Sequence, residues 1–280
     1  MKLSELWPIY QRDRTIARYS PHTIKAHKTQ FNLLMRFTGD IDTGKIDANL
    51  LKDYLAGCTH LKTSSLGMRV RVVKSFFTWA FKGGYIPTNP MAGVKEPKNG
   101  DNIPKYFTDN EIIILKSGCE SILERTLLEF SFATGCRVGE VREINRADIN
   151  WDNNSINIMG KGGKRRIIYF SDPCKELLIE YMKFRKDEDA ALFVTERAPH
   201  RMSIAEMRYI LKRIAKRSGI CNNVYPHKLR HTYATHLLNN GASIEAIRQL
   251  MGHSNMNSTL IYAHLTEEGK QNTYSRCFKG

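Results

Sequence analysis

The stretch "VKEPKNGDNIPK", residues 94–105, constrains this chain more than any other segment. It holds two prolines, a glycine and four charged residues before its closing lysine, and no apolar residue recurs at a helical or strand period. Such a segment reads as a linker, and no continuous core can run through it. A length of 280 residues also exceeds one average domain. The expected division is a helical domain over residues 1–94, a linker over 95–105 and a second domain over 106–280. Ahead of the linker the pattern is helical. Ser20-Pro21 opens "SPHTIKAHKTQFNLLMRFTG", which ends at Gly39, and Thr63 or Ser64 opens "TSSLGMRVRVVKSFFTWAFKGG", which stops at Gly83-Gly84. A third helix, "IDANLLKDYLAG", falls between them. Beyond the linker, "TDNE" (Thr108 to Glu111) and "SIAE" (Ser203 to Glu206) have the spacing of capping boxes, the latter opening a helix to Gly219. Between them "INWDNNSINIMGKGGKRRIIYF" alternates Ile156 and Ile158 with polar residues, with turns at Asn153-Asn154 and Gly160–Gly163. It reads as a small antiparallel meander with a basic hairpin tip. The fold class is therefore mainly α with one small β-meander, without internal repeats.

Charge narrows the partners. The net charge is +15 and the pI near 9.6. Residues 1–98 carry 16 Lys and Arg against 7 Asp and Glu, the remainder 27 against 21, so the basic excess is concentrated in the smaller domain. That asymmetry favours a surface tracking phosphates, with nucleic acid as the first expectation and an anionic membrane as the second. No apolar run approaches the roughly 18 residues of a membrane span and no charged-then-apolar leader is present, so no membrane partner is expected. Cysteines 58, 119, 136, 174, 221 and 277 are scattered without C-x-x-C spacing and read as reduced thiols of a cytoplasmic protein, not as a disulfide frame or zinc site.

"PHKLRHTYATHLLNNG", residues 226–241, raises the question of function. At 100° per residue, Tyr233, Ala234, Leu237 and Leu238 share one face, while Lys228, His231, Thr232, Thr235 and Asn239 fall opposite. His227 and Arg230 lie on the apolar side. Either something anionic waits there for a permanent cation, or the helix start is frayed and the pair is ordinary surface. In "ATGCRVGEVREI", Gly135 interrupts one helix, Arg137 opens the next, and Arg137, Glu140, Val141 and Ile144 share a face. A second arginine thus points inward, although a surface Arg–Glu pair three apart has the same spacing. Lys161 and Lys164 occupy the hairpin tip, where a lysine is usually solvated. In "QLMGHSNMNSTLIYAHL", Gly252 ends a helix, His253 follows, and Tyr262 stands nine residues later, where a core tyrosine is the ordinary reading. His227 and His231 lack the Glu of H-E-x-x-H and lie on different sides of the apolar boundary, so no metal is expected.

The order of these residues is more informative than any one of them. "ATGCRVGEV", "GKGGKRR", "HKLRHTYATHLL" and "LMGHSNMNSTLIYAHL" resemble the four motif blocks of the tyrosine recombinase (phage integrase) family, in particular its XerC/XerD-like group. By motif the resemblance covers roughly residues 104–265. It implies a helical core-binding (SAM-like) domain and a mixed α+β catalytic domain that close as a C-shaped clamp around duplex DNA. Helical pattern begins almost at residue 1, which leaves no room for the arm-binding domain of larger phage integrases and favours the simpler two-domain build.

Carried onto this sequence, the family's catalytic set is Arg137, Lys161, His227, Arg230, His253 and Tyr262, with Glu140 supporting Arg137. The resemblance makes Tyr262 the nucleophile that attacks a DNA phosphate, forming a 3′-phosphotyrosine and freeing a 5′-hydroxyl. A phenol of pKa about 10 needs help losing its proton, which His227 would give. Arg137 and Arg230 would grip the non-bridging oxygens with fork-shaped donors, and His253 would add another hydrogen bond. Lys161 would protonate the departing 5′-oxygen. No cofactor, metal or nucleotide is implied, because the phosphotyrosine conserves the energy of the backbone bond. The implied assembly is a homotetramer on two double-stranded recombination sites, with accessory DNA-bending proteins as possible further partners. Two positions depart from the family's pattern: Cys136 replaces a frequent leucine, and "GKGGKRR" replaces an "N-K-E-R" ending, which leaves Lys164 as a rival to Lys161. Three other functions stay open on the sequence: a type IB topoisomerase, a non-catalytic DNA-binding regulator on the same scaffold, and a generic basic nucleic-acid-binding protein.

Overall fold

Side-chain caps set several helix starts where their spacing predicts them, whereas the helix expected to open on Thr63 or Ser64 begins behind Lys62 without a side-chain cap bond. The computed structural model describes residues 1–98, 105–160, 165–220, 224–252 and 259, and the chain divides into two units, Met1–Asn102 and Ile103–Gly280. In the first, helices α1 (Leu3–Ile16), α2 (Pro21–Thr38), α3 (Ala48–Ala56) and α4 (Thr63–Lys82) surround an aromatic core. Ser20 Oγ accepts the amide of Thr23 at 3.1 Å, and Asp47 accepts that of Leu50 at 2.8 Å, so α2 and α3 each begin on a satisfied donor. Tyr10, Phe31, Phe76 and Phe77 are fully or almost fully buried. Burial obliges the Tyr10 hydroxyl to find partners, and it meets His27 Nδ1 at 2.8 Å and Ser75 Oγ at 3.0 Å.

The second unit runs α5 (Asp109–Ser117), α6 (Ile122–Thr134), α7 (Val138–Glu143), β1 (Ile149–Asn150), β2 (Ser155–Met159), β3 (Arg165–Tyr169), α8 (Asp172–Phe184), α9 (Ile204–Arg217), α10 (Pro226–Asn239) and α11 (Ile244–Met251). Both predicted capping boxes form, Thr108 with Glu111 at α5 and Ser203 with Glu206 at α9. The three strands make one antiparallel sheet in the order β1-β2-β3, with Ile156 opposite Ile168 and Ile158 opposite Arg166. The mainly helical architecture with a small meander is thus the one the sequence implies. Helix α6 is central, packed by α8, α9 and α10. Its Leu123, Leu127, Leu128 and Phe130 are buried, and so is Glu124. A carboxylate so placed must be paired. Glu124 accepts the Glu120 amide at 2.9 Å and bonds from Arg213 (Nε, 3.0 Å) and Arg217, both on α9.

Helix α10 differs from its simple two-sided reading. Lys228, Thr232 and Thr235, on the side opposite the apolar residues, are buried too. The segment before α5 covers the first two: the Phe107 amide donates to Thr232 Oγ1 at 2.9 Å, and Lys228 Nζ stands 3.6 Å from the centroid of the Phe107 ring. A lysine over an aromatic face keeps its charge partly stabilised out of water. On the other side of α10, Tyr233, Ala234, Leu237 and Leu238 pack with Ile247 and Met251 of α11. The helix is therefore enclosed from two directions, which holds its first turn in place.

Among the described residues, Cys58, Cys119, Cys136 and Cys174 are buried free thiols, and no helix is long and apolar enough to cross a membrane.

Candidate active site

Two glycines and one carboxylate organise the site. Helix α6 ends at Gly135, which takes the left-handed conformation (φ 57°). A Cβ there would stand 2.2 Å from Tyr233 Cδ1, so only glycine lets the chain turn this close to α10. The turn aims the Gly135 carbonyl at Arg230, whose Nη1 donates to it at 2.6 Å. Arg230 Nη2 donates to the Met251 carbonyl at the end of α11, at 2.5 Å. The residue is only 4% exposed. Its inward direction, read from the helical pattern of "HKLR", is that of a cation held on two main-chain oxygens from different elements.

Arg137 is the N-cap of α7, two residues beyond Gly135. Its amide donates to Glu140 Oε2 and its Nη1 to Glu140 Oε1, both at 2.8 Å, while Nη2 lies 3.5 Å from the Gly252 carbonyl. The side chain stays 29% exposed, so the guanidinium is held on one edge and open on another. Glu140 accepts two more bonds, from Arg166 Nη1 at 2.8 Å and Nη2 at 2.9 Å. Burial alone would raise its pKa, but the bonds from Arg166 and then Arg137 outweigh it and pull the carboxyl down to about 2. Glu140 is thus a permanent anion with four donors on its two oxygens.

His227, at the second position of α10, keeps an exposed face. Partial burial, then the charges of Arg230, Arg137 and Arg208, push its pKa below the ordinary 6.5, so the ring is neutral at physiological pH. A neutral imidazole beside two guanidiniums can accept a proton, which an imidazolium cannot. His231, one turn on, has its ring centroid 6.5 Å from that of His227. Cys136, between Gly135 and Arg137, is buried with its thiol pKa raised to about 11 by that burial, and it acts as a small packing residue. No group of three or more metal-ligating side chains occurs among the described residues.

The fold therefore brings Arg137, Glu140, His227 and Arg230 into one place, from α7 and α10. Lys161 and its rival Lys164, His253 and Tyr262 lie outside the described residues. One contributor has no role in the sequence reading: Arg166. Its signal was available, because strand alternation puts it on the face of β3 that also carries buried Ile168, and inward charges need partners.

Comparison with known proteins decides the family. The phage integrase family model matches residues 106–268, more than half of the chain. The chain belongs to the phage integrase family. This family member is 29% identical over 296 residues to tyrosine recombinase XerC of Pediococcus pentosaceus, covering 98% of each chain. To XerC of Staphylococcus saprophyticus it is 29% identical, covering 92% of this chain and 91% of that one. A crystal structure of XerA recombinase superposes with a TM-score of 0.58 at 25% identity, covering 99% of both chains. Two further structures share the fold at 19% identity. They are a lambda integrase dimer bound to a COC′ core site (TM-score 0.79, 92% of this chain and 97% of that one) and the Tn1549 transposon integrase in complex with transposon right end DNA (TM-score 0.80, 99% of both). This phage integrase family member is an enzyme, a site-specific tyrosine recombinase.

Proposed function

We propose that this recombinase cuts and rejoins duplex DNA through a 3′-phosphotyrosine formed by Tyr262, in integration, excision or resolution of DNA. The observation that carries the reading is the pair Arg137 and Arg230. Each guanidinium is fixed by main-chain or carboxylate acceptors before any ligand arrives, beside a neutral His227. Pre-aimed donors of this kind act where charge grows, on the non-bridging oxygens of a five-coordinate phosphorus.

In the proposed step the Tyr262 oxygen bonds to phosphorus as the bond to the 5′-oxygen breaks. The phenolic proton passes to His227, and Lys161, with Lys164 as its rival, protonates the leaving oxygen. His253 donates a further hydrogen bond to the phosphate. Attack by the 5′-hydroxyl of a partner strand then reverses the chemistry with new connectivity, and the conserved bond energy makes metal and nucleotide unnecessary. Residues 1–94 form the core-binding half, residues 95–105 the linker and residues 106–280 the catalytic half. The working assembly is a homotetramer on two DNA sites, aided by accessory DNA-bending proteins, and it acts in the cytoplasm. A neighbour of the same fold, lambda integrase, is recorded as a tetramer bound to a Holliday junction.

Covalent capture in EDTA tests this. Wild type and Tyr262→Phe are incubated with duplex fragments flanking the gene, denatured and digested, and attached DNA is sequenced. The expected result is an adduct with wild type alone, while both proteins bind DNA equally before denaturation. An adduct that persists in Tyr262→Phe removes the nucleophile from Tyr262. Equal binding with no adduct from either protein favours a non-catalytic DNA-binding scaffold.

A further inference from the structure

Glu140 is held from two sides. Arg137 reaches it within α7, at three residues' separation, and Arg166 reaches it from β3. Arg166 is the more rigid partner. It makes a bidentate fork to both carboxylate oxygens, and its side chain is 11% exposed against 29% for Arg137. Each of its terminal nitrogens directs one N–H to Glu140, so the end of the fork faces the carboxylate, while its buried Nε makes no hydrogen bond among the described residues. Arg166 also lies against Gly252, where a Cβ would come within 2.8 Å of its Cδ and 3.0 Å of its Nε. Gly252 takes the left-handed conformation (φ 62°), and its carbonyl lies 3.5 Å from Arg137 Nη2.

We propose that Arg166 is a positioning residue for the recombination chemistry: it locks Glu140 and the α11 C-terminus together, and thereby fixes the angle at which Arg137 meets the scissile phosphate. The inference rests on the reading of this chain as a strand-cutting recombinase. The physical reason for a second arginine is geometric. A single Arg137–Glu140 pair on a six-residue helix could swing as a unit. A bidentate bond from a strand removes that freedom, because the planar fork fixes the carboxylate plane as well as its distance. In the chain, Arg166 is separated from residues 161–164 only by Arg165. The proposed general acid, Lys161, stands five positions before Arg166 in the sequence.

The test uses the full-length protein on the DNA site recovered by covalent capture, presented as a nicked duplex that traps the cleaved product. Arg166→Ala is expected to slow single-turnover cleavage by about 30- to 100-fold, the scale of an ångström-size misplacement, with DNA affinity within about threefold of wild type. Arg166→Lys keeps the charge but not the fork, and only part of the rate returns. The decisive readout is a double-mutant cycle with Arg137→Ala. If Arg166 acts through Arg137, adding Arg166→Ala to Arg137→Ala costs no more than about threefold further, because the residue being positioned is gone. A merely structural role leaves the full penalty in both backgrounds, and that outcome overturns the proposal. Arg166→Ala cleaving at the wild-type rate overturns it as well. Should Arg166→Ala fail to fold by circular dichroism, Arg166→Lys takes its place in the same cycle. Absence of a wild-type adduct instead brings down the recombinase reading itself, and so is distinguishable from failure of the Arg166 assignment.

Discussion

Arg230 and His231 are neighbours that meet burial in opposite ways. A guanidinium cannot shed its proton, so Arg230 keeps its charge and takes the carbonyls of Gly135 and Met251. His231 gives its charge up instead. Burial first, then the charges of His227 and Arg230, push its pKa from 6.5 to about 4. The unfolded chain therefore binds a proton here before the folded one does. The stability this group contributes is whole above pH 6.5 and is lost as pH falls toward about 4. The Tm of wild type is expected to drop more steeply across that window than the Tm of His231→Gln, which has nothing to titrate. Parallel Tm profiles by circular dichroism would contradict the assignment. His227 shifts in the same direction, so it stays neutral, and able to accept a proton, at pH values somewhat below the ordinary imidazole range.

At the level of elements, α10 depends on the segment that precedes α5. The amide of Phe107 is buried and its acceptor is Thr232 Oγ1, 125 residues away. Thr232→Val keeps the shape and removes the acceptor, leaving a buried N–H without a partner. The expected cost is about 1–3 kcal/mol, read as a lower midpoint in urea unfolding with an unchanged m-value. Thr232→Ser retains the hydroxyl and should lose less. An unchanged midpoint for Thr232→Val would mean that water or another group satisfies the Phe107 amide. Because α10 carries His227 and Arg230 in its first turns, loosening this clasp should also slow cleavage, whereas α6 keeps its own buried anchor through Glu124 and the two arginines of α9.

For the whole molecule, charge is the property that acts at a distance. The excess of +15, drawn largely from residues 1–98, implies that DNA affinity comes substantially from phosphate neutralisation. Fluorescence anisotropy on a labelled duplex should give a linear log–log dependence on salt. With six to ten phosphate contacts, affinity falls by about a thousandfold or more between 50 and 200 mM salt. A change of less than about tenfold would place recognition mainly in base contacts. Much of this protein was legible without coordinates. Ser20, Asp47, Thr108 and Ser203 mark helix starts, and the "SINIM" and "RRIIY" strands pair as a meander, because capping and alternation act between residues a few positions apart. The inward Arg230 and the Arg137–Glu140 spacing were legible for the same reason. What the burial of Lys228 and Thr232 shares with the fork of Arg166 on Glu140 is a partner supplied from elsewhere in the chain. Periodicity says which side of a helix or strand a residue occupies. Only tertiary packing decides what covers that side, because an enclosed donor or charge must find its acceptor wherever the fold brings one.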